Sequence, residues 1–220
     1  MTRPGVVGGV DESGRGCVLG PLVVAGVSAT LEGVRELKEI GVRDSKMLSA
    51  KQRESLYPHI LEIAEKVHWR GITPGEIDEV VTTGRRLRKL NYLEAVYFAR
   101  VIDDLGAEKV TVDASDVVPG RFRDDIRGNM ARKCRVVAFH KADRDFPVVS
   151  AASIVAKVER DRAVEALRKV HGDFGSGYPS DPATREFFAD LMRRGGALPL
   201  YVRRSWKTWE RIEQILLDSF

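Results

Sequence analysis

The chain of 220 residues holds only two cysteines, Cys17 and Cys134. Two thiols cannot build a disulfide framework and leave too few ligands for a zinc ribbon; two free, partly buried thiols are expected, with a single disulfide as the alternative. Aromatic residues make up 7% of the chain. They are too little interleaved with the basic runs to form a platform on which single-stranded bases stack. No apolar run approaches the ~20 residues of a membrane span, so no membrane association is expected. The opening MTRPGVVGG lacks the long apolar core of an export signal, which points to a cytoplasmic protein. Internal repeats and low-complexity segments are also missing.

What is present suits one well-cored domain with a small appendage, since 43% of the residues are hydrophobic. The net charge is +4, from 36 basic and 32 acidic residues. So mild a bias fits a polyanionic partner but is shared by many proteins that have none.

Gly5–Glu12 and Pro21–Ala29 are Val-rich runs joined by a Gly-rich turn, the pattern of a hairpin of buried strands. Ser49 is placed to cap a helix over Ala50–Lys66, and Val67–Ile72 reads as a third strand. Thr73-Pro74 opens a short helix, and Arg85–Leu105 is a longer one with Leu90, Leu93, Val96, Tyr97, Val101 and Leu105 on one stripe. Lys109–Val112 and Arg135–Phe139 flank a helix-compatible segment, as parallel strands of a βαβ unit do. A second long helix is expected over Val148–Val170. Beyond the loop GDFGSGYPSDP, Pro182–Arg194 and Trp206–Leu217 read as two C-terminal helices. The fold class is therefore α/β, a mixed sheet covered on both faces.

Three apolar runs end in an acid: GVVGGVDE at Asp11 and Glu12, KVTVDAS at Asp113, and VVAFHKAD at Asp143. One such acid is ordinarily a turn residue or cap. Three on neighbouring strands would converge at one edge of the sheet, where α/β folds place ligands. Carboxylates gathered there repel one another unless cations neutralise them. Oxygen donors without His or Cys select Mg²⁺ or Mn²⁺, and the matching chemistry is two-metal phosphodiester hydrolysis. One difficulty stands in the way: consecutive residues of a regular strand face opposite sides, so Asp11 and Glu12 share an ion only if the strand ends or twists there. The glycines of Gly14-Arg15-Gly16 allow such a break and let backbone groups approach a ligand closely. A dinucleotide site is excluded, because Gly14, Gly16 and Gly20 are misspaced and precede a strand.

In the order VDESGRGCVLGPLVVAG, GVRDSKMLS, VDAS, FHKADRDFPVVSAASIVAKVERD and SGYPSD, the chain resembles type 2 ribonuclease H, or ribonuclease HII, and especially its archaeal branch. The resemblance implies a ribonuclease H-like mixed five-stranded sheet with helices on both faces and a small C-terminal helical extension. It implies a catalytic domain over residues 1–175 and a substrate-covering region over residues 176–220. It also implies a Mg²⁺- or Mn²⁺-dependent endoribonuclease, acting on RNA–DNA hybrids and on duplex DNA containing single ribonucleotides. The family's four metal-binding acids fall on Asp11, Glu12, Asp113 and Asp143. Its ribonucleotide-sensing motif falls on Gly14, Arg15 and Gly16, and its tyrosine on Tyr178. The 2′-hydroxyl distinguishes RNA from DNA, and backbone groups of a glycine turn with a phenol suit its recognition.

Taken alone, Tyr178 is a packing ring and Asp44-Ser45-Lys46 an ordinary capping sequence; within the resemblance Lys46 contacts a phosphate. Ser150, Ser153, Lys157 and Arg160 form a polar stripe on an apolar helix, and Ser150 and Lys157 are expected near the phosphate or the acids. His140 is expected to be structural, and Asp116 and Asp145 solvated. Gln214, Leu217 and Phe220 resemble a sliding-clamp-binding peptide, although the sequence runs on to only one aromatic; docking of Ile215 and Phe220 on the body is the competing reading. A monomer is expected. A resolvase or integrase of the same superfamily, or a hybrid-binding module without catalysis, are the alternative functions.

Overall fold

In the computed structural model, residues 3–42, 47–83 and 89–206 are described. The chain begins with β1 (Arg3–Ser13) and β2 (Leu22–Thr30), followed by α1 (Leu31–Glu39) and α2 (Ala50–Ile63). Then come β3 (Lys66–Ile72), α3 (Pro74–Thr83), α4 (Lys89–Leu105) and β4 (Ala107–Asp113). The series ends with α5 (Pro119–Asn129), β5 (Arg135–Phe139), α6 (Ala142–Asp145), α7 (Pro147–His171) and α8 (Pro182–Arg194). The strands form one sheet in the order β3-β2-β1-β4-β5, antiparallel on the β3-β2-β1 side and parallel from β1 to β5. This is the mixed five-stranded α/β architecture of the ribonuclease H-like fold.

Local chemistry explains the element boundaries. Ser49 and Gln52 form a reciprocal capping box at the start of α2. Thr73 and Glu76 do the same for α3, with Pro74 at its first position. The helix α1, unanticipated because Gly33 interrupts its pattern, starts where the Thr30 hydroxyl accepts the Gly33 N–H.

The apolar faces sort into three clusters. On one side of the sheet, Val10, Val110 and Val112 pack against Phe98, Val101 and Ile102 of α4 and Phe122 of α5. Phe98 and Phe122 meet edge to face with centroids 5.1 Å apart; truncating such a buried ring to alanine costs about 3–5 kcal/mol. On the other side, Val23, Ala25 and Val27 pack under Val149, Ala152 and Ile154 of α7. A third cluster joins Val18 and Leu19 to Phe174, Phe188, Tyr201 and Val202, and Leu19 forms an isolated bridge with Val202. The C-terminal region is thus tied to the turn that follows β1.

Alternation along β1 places the acids. Gly9 lies so close to α7 that a Cβ there would sit 2.3 Å from the Val148 carbonyl carbon, whereas its neighbour Val10 belongs to the α4 side. Asp11 therefore shares the α7 side.

Candidate active site

One residue beyond the Val10–Val112 pair, β1 and β4 present Asp11 and Asp113 side by side. Asp143 arrives from α6, just after β5. The structure brings carboxylate oxygens of Asp11, Asp113 and Asp143 within 4.8 Å of one another. Asp11 and Asp143 are buried, at 5% and 1% exposure. The backbone holds these groups: Glu12 N–H donates to Asp11 Oδ1 at 2.8 Å, and Ala142 N–H to Asp113 Oδ1 at 3.2 Å.

Glu12 stands beside this trio rather than inside it. β1 stays regular to Ser13, so Glu12 turns to the side where Glu94 of α4 and Arg15 act on it. Burial, then the charges of Asp11 and Glu94, push its carboxyl well above the ordinary range. Its Oε2 is buried without a hydrogen-bond partner among the described residues. Burial also raises the Asp11 carboxyl, against the Lys157 charge and a hydrogen bond from Ser153. The orphaned Glu12 oxygen beside three clustered carboxylates, with no nitrogen or sulfur donor among them, fits hard divalent cations. Asp11, Asp113 and Asp143 could hold one such ion directly, with Glu12 at its margin.

The α7 stripe supports this centre. Lys157 Nζ donates to Ser153 Oγ at 2.5 Å, and Ser153 bonds Asp11 in turn. Ser150, only 1% exposed, donates its hydroxyl to the Asp143 carbonyl oxygen. Ser150 thereby braces the Asp143 backbone.

The Gly14-Arg15-Gly16 turn is clamped from three directions. Arg15 reaches inward, donating to Glu94 at 2.8 Å, Asn91 at 2.6 Å and the Ser115 carbonyl at 2.9 Å. Arg203, fully buried, donates to the Arg15 carbonyl at 3.0 Å and the Gly20 carbonyl at 3.1 Å. Arg160 donates to Cys17 Sγ at 2.9 Å and to the Ser176 carbonyl. The side chain of Arg15 is consequently tied into the structure. Gly14 has φ +89, the left-handed region that glycine tolerates. The Tyr178 ring lies beside Gly16, where an added Cβ would be 3.8 Å from Cε1, and Arg160 sits 4.9 Å over its centroid. Burial pushes the Tyr178 phenol up to about 12, so it stays a hydrogen-bond donor at neutral pH.

Other expectations need adjustment. Asp116 is buried, not solvated: it accepts from Asn91 at 3.0 Å and pairs with Arg121. Asp145 is exposed, and a ring nitrogen of His140 lies 3.2 Å from the Val117 carbonyl. Cys17 and Cys134 are free. Lys46, Gln214, Leu217 and Phe220, and the helix expected to continue through Leu217, lie outside the described residues. Pattern reading missed Glu94 and Arg203. Glu94 had a signal, a charge set within the apolar stripe of Leu93, Tyr97 and Val101; Arg203, in LYVRRSW, had none.

The family model for ribonuclease HII matches residues 8–209. The ribonuclease HII of Cenarchaeum symbiosum (strain A) is 50% identical over 208 residues, which cover 94% of this chain and 98% of that relative. Among solved structures, the ribonuclease H2 of Pyrococcus horikoshii OT3 superposes with a TM-score of 0.85 at 41% identity, covering 96% of this chain and 99% of that one. The RNase HII of Archaeoglobus fulgidus, in its complex with PCNA, has a TM-score of 0.83 at 41% identity, covering 92% and 95%. No helix among the described residues is long and apolar enough to cross a membrane. Over nearly its whole length the chain belongs to the ribonuclease HII family, and it is a metal-dependent ribonuclease H hydrolase.

Proposed function

We propose that the chain cuts the RNA strand of RNA–DNA hybrids and also incises duplex DNA at single embedded ribonucleotides, leaving 5′-phosphate and 3′-hydroxyl ends. The observation that carries this reading is the juxtaposition of three carboxylates within 4.8 Å with the clamped Gly14–Gly16 turn. Asp11, Asp113 and Asp143, with Glu12 beside them, would hold Mg²⁺ or Mn²⁺. Two such ions, when bound, would supply an activated water and neutralise charge on the leaving oxygen.

The protein's own groups do the rest. Lys157 and Ser153 orient Asp11, and Ser150 fixes the backbone of Asp143. Gly14 and Gly16 offer backbone groups to the 2′-hydroxyl, with the Tyr178 phenol alongside. Residues 1–175 act as the catalytic body and residues 176–220 as the cover of the substrate groove, supported by the cluster that joins Val18 and Leu19 to Tyr201 and Val202. Lys46 contributes a phosphate contact. The enzyme works as a cytoplasmic monomer. By analogy with the Archaeoglobus fulgidus complex, it docks a sliding clamp through Gln214, Leu217 and Phe220.

Cleavage-site mapping on a duplex carrying one ribonucleotide tests this reading. Cutting at the ribonucleotide that requires Mg²⁺ or Mn²⁺ and vanishes when that sugar is 2′-deoxy is the expected result. Cutting that persists on the all-DNA duplex would overturn it in favour of a resolvase-like nuclease.

A further inference from the structure

At the end of the sheet opposite the acids lies a concavity of about 670 Å³, lined among others by Glu108, Arg127, Arg132, Lys133, Cys134 and Arg135. The four cations are exposed; Arg127 acts on the Asp124 carboxylate, and no ion pair within 4 Å joins Arg132, Lys133 or Arg135 to a carboxylate among the described residues. Nearby acids have other uses. Asp103 accepts the N–H groups of Ala131 and Arg132 at 2.8 and 3.0 Å, which fixes the loop entering β5. Glu108 accepts from Gly5 N–H at 3.4 Å, and Asp124 pairs with Arg123 at 2.9 Å. Four like charges around one hollow repel over a screening length of ~10 Å, and a multiply charged anion would relieve that repulsion.

The hollow is separate from the acids yet within reach of the same ligand. Lys109 pairs with Arg135 and Asp113 with Phe139, so the two ends lie four residues apart along β4. At ~3.3 Å per residue that is roughly 13 Å, about four phosphate steps of a strand at ~3.4 Å each. α5 spans the same interval, with Arg121 and Arg123 between Asp113 and the hollow.

We propose that this basic groove binds the phosphate backbone of the duplex beyond the cleaved step, adding affinity without taking part in the chemistry. The proposal rests on the hybrid being the substrate. The test is binding to RNA–DNA hybrids in chelator across a salt series, comparing the parent with the triple variant Arg127→Gln, Arg132→Gln, Arg135→Gln. On a hybrid of about 30 base pairs the variant should bind roughly 10-fold more weakly, with a log–log salt slope shallower by about 2 to 3. On a hairpin-closed hybrid of about 3 base pairs, shorter than the roughly four steps between the two sites, affinity should match the parent's. In the metal-loaded enzyme kcat should be unchanged while KM rises on the long hybrid alone. A parent that cleaves hybrid while the variant keeps its full affinity and salt slope overturns the groove alone. So does an equal loss on both lengths. A parent that binds no hybrid overturns the functional reading, and the groove with it.

Discussion

Glu94 sits at the residue scale where two effects oppose each other. It pairs with Arg15 at 2.8 Å, which favours its charge, yet it is fully buried. Burial wins: the carboxyl is pushed up to about 7, despite Arg15 and Arg203. The folded chain therefore keeps this proton more tightly than the unfolded chain, whose carboxyl titrates near 4.5. Between those two values the unfolded state releases its proton first, so stability falls as pH rises from about 4.5 to about 7. Glu94→Gln removes that titration. Its melting temperature should fall less steeply across the same window than the parent's, and an unaltered slope would show that Glu94 is ionised throughout. The same variant loosens Arg15, so cleavage at an embedded ribonucleotide should drop more than cleavage within a hybrid.

At the scale of elements, the site depends on how closely α7 approaches β1. A Cβ at Gly9 would meet backbone atoms of Val148 and Val149 at 2.3 and 2.4 Å, and backbone cannot rotate away as a side chain can. Gly9→Ala should cost about 1–3 kcal/mol of stability as α7 is forced outward. It should also reduce turnover, because Ser153 and Lys157 ride on the same helix. An unchanged thermal midpoint would mean that the contact is slack.

The elements themselves were largely legible. The β1–β2 hairpin, the β4–β5 parallel pair and the long helices follow from Val-rich runs and helical stripes that burial enforces. α1 was not, because Gly33 masks its period, and α6 is too short to have one. The convergence of Asp11, Asp113 and Asp143 was readable because acids ending neighbouring strands must meet at one edge. The separation of Glu12 was foreseeable from alternation, but whether β1 stays regular past Asp11 is decided by its pairing with β2 up to Ser13. The inward course of Arg15 depends on Glu94, 79 residues away, and no local pattern carries that.

For the whole molecule, charge is divided between the two ends of one sheet, acids at the carboxyl ends of the parallel strands and exposed cations at the other. The apolar layers between them hold both in place. Because the carboxyls of Asp11 and Glu12 are raised, ion binding must displace protons. Divalent binding should accordingly strengthen as pH rises, and stabilise the fold more at the higher pH. The direct test of the acidic centre is calorimetric titration of Mn²⁺ into the metal-free protein and into Asp143→Asn. A shared acidic centre predicts saturable binding by the parent and binding at least about 10-fold weaker in the variant, which should still fold. Equal Mn²⁺ affinity in both proteins would contradict it.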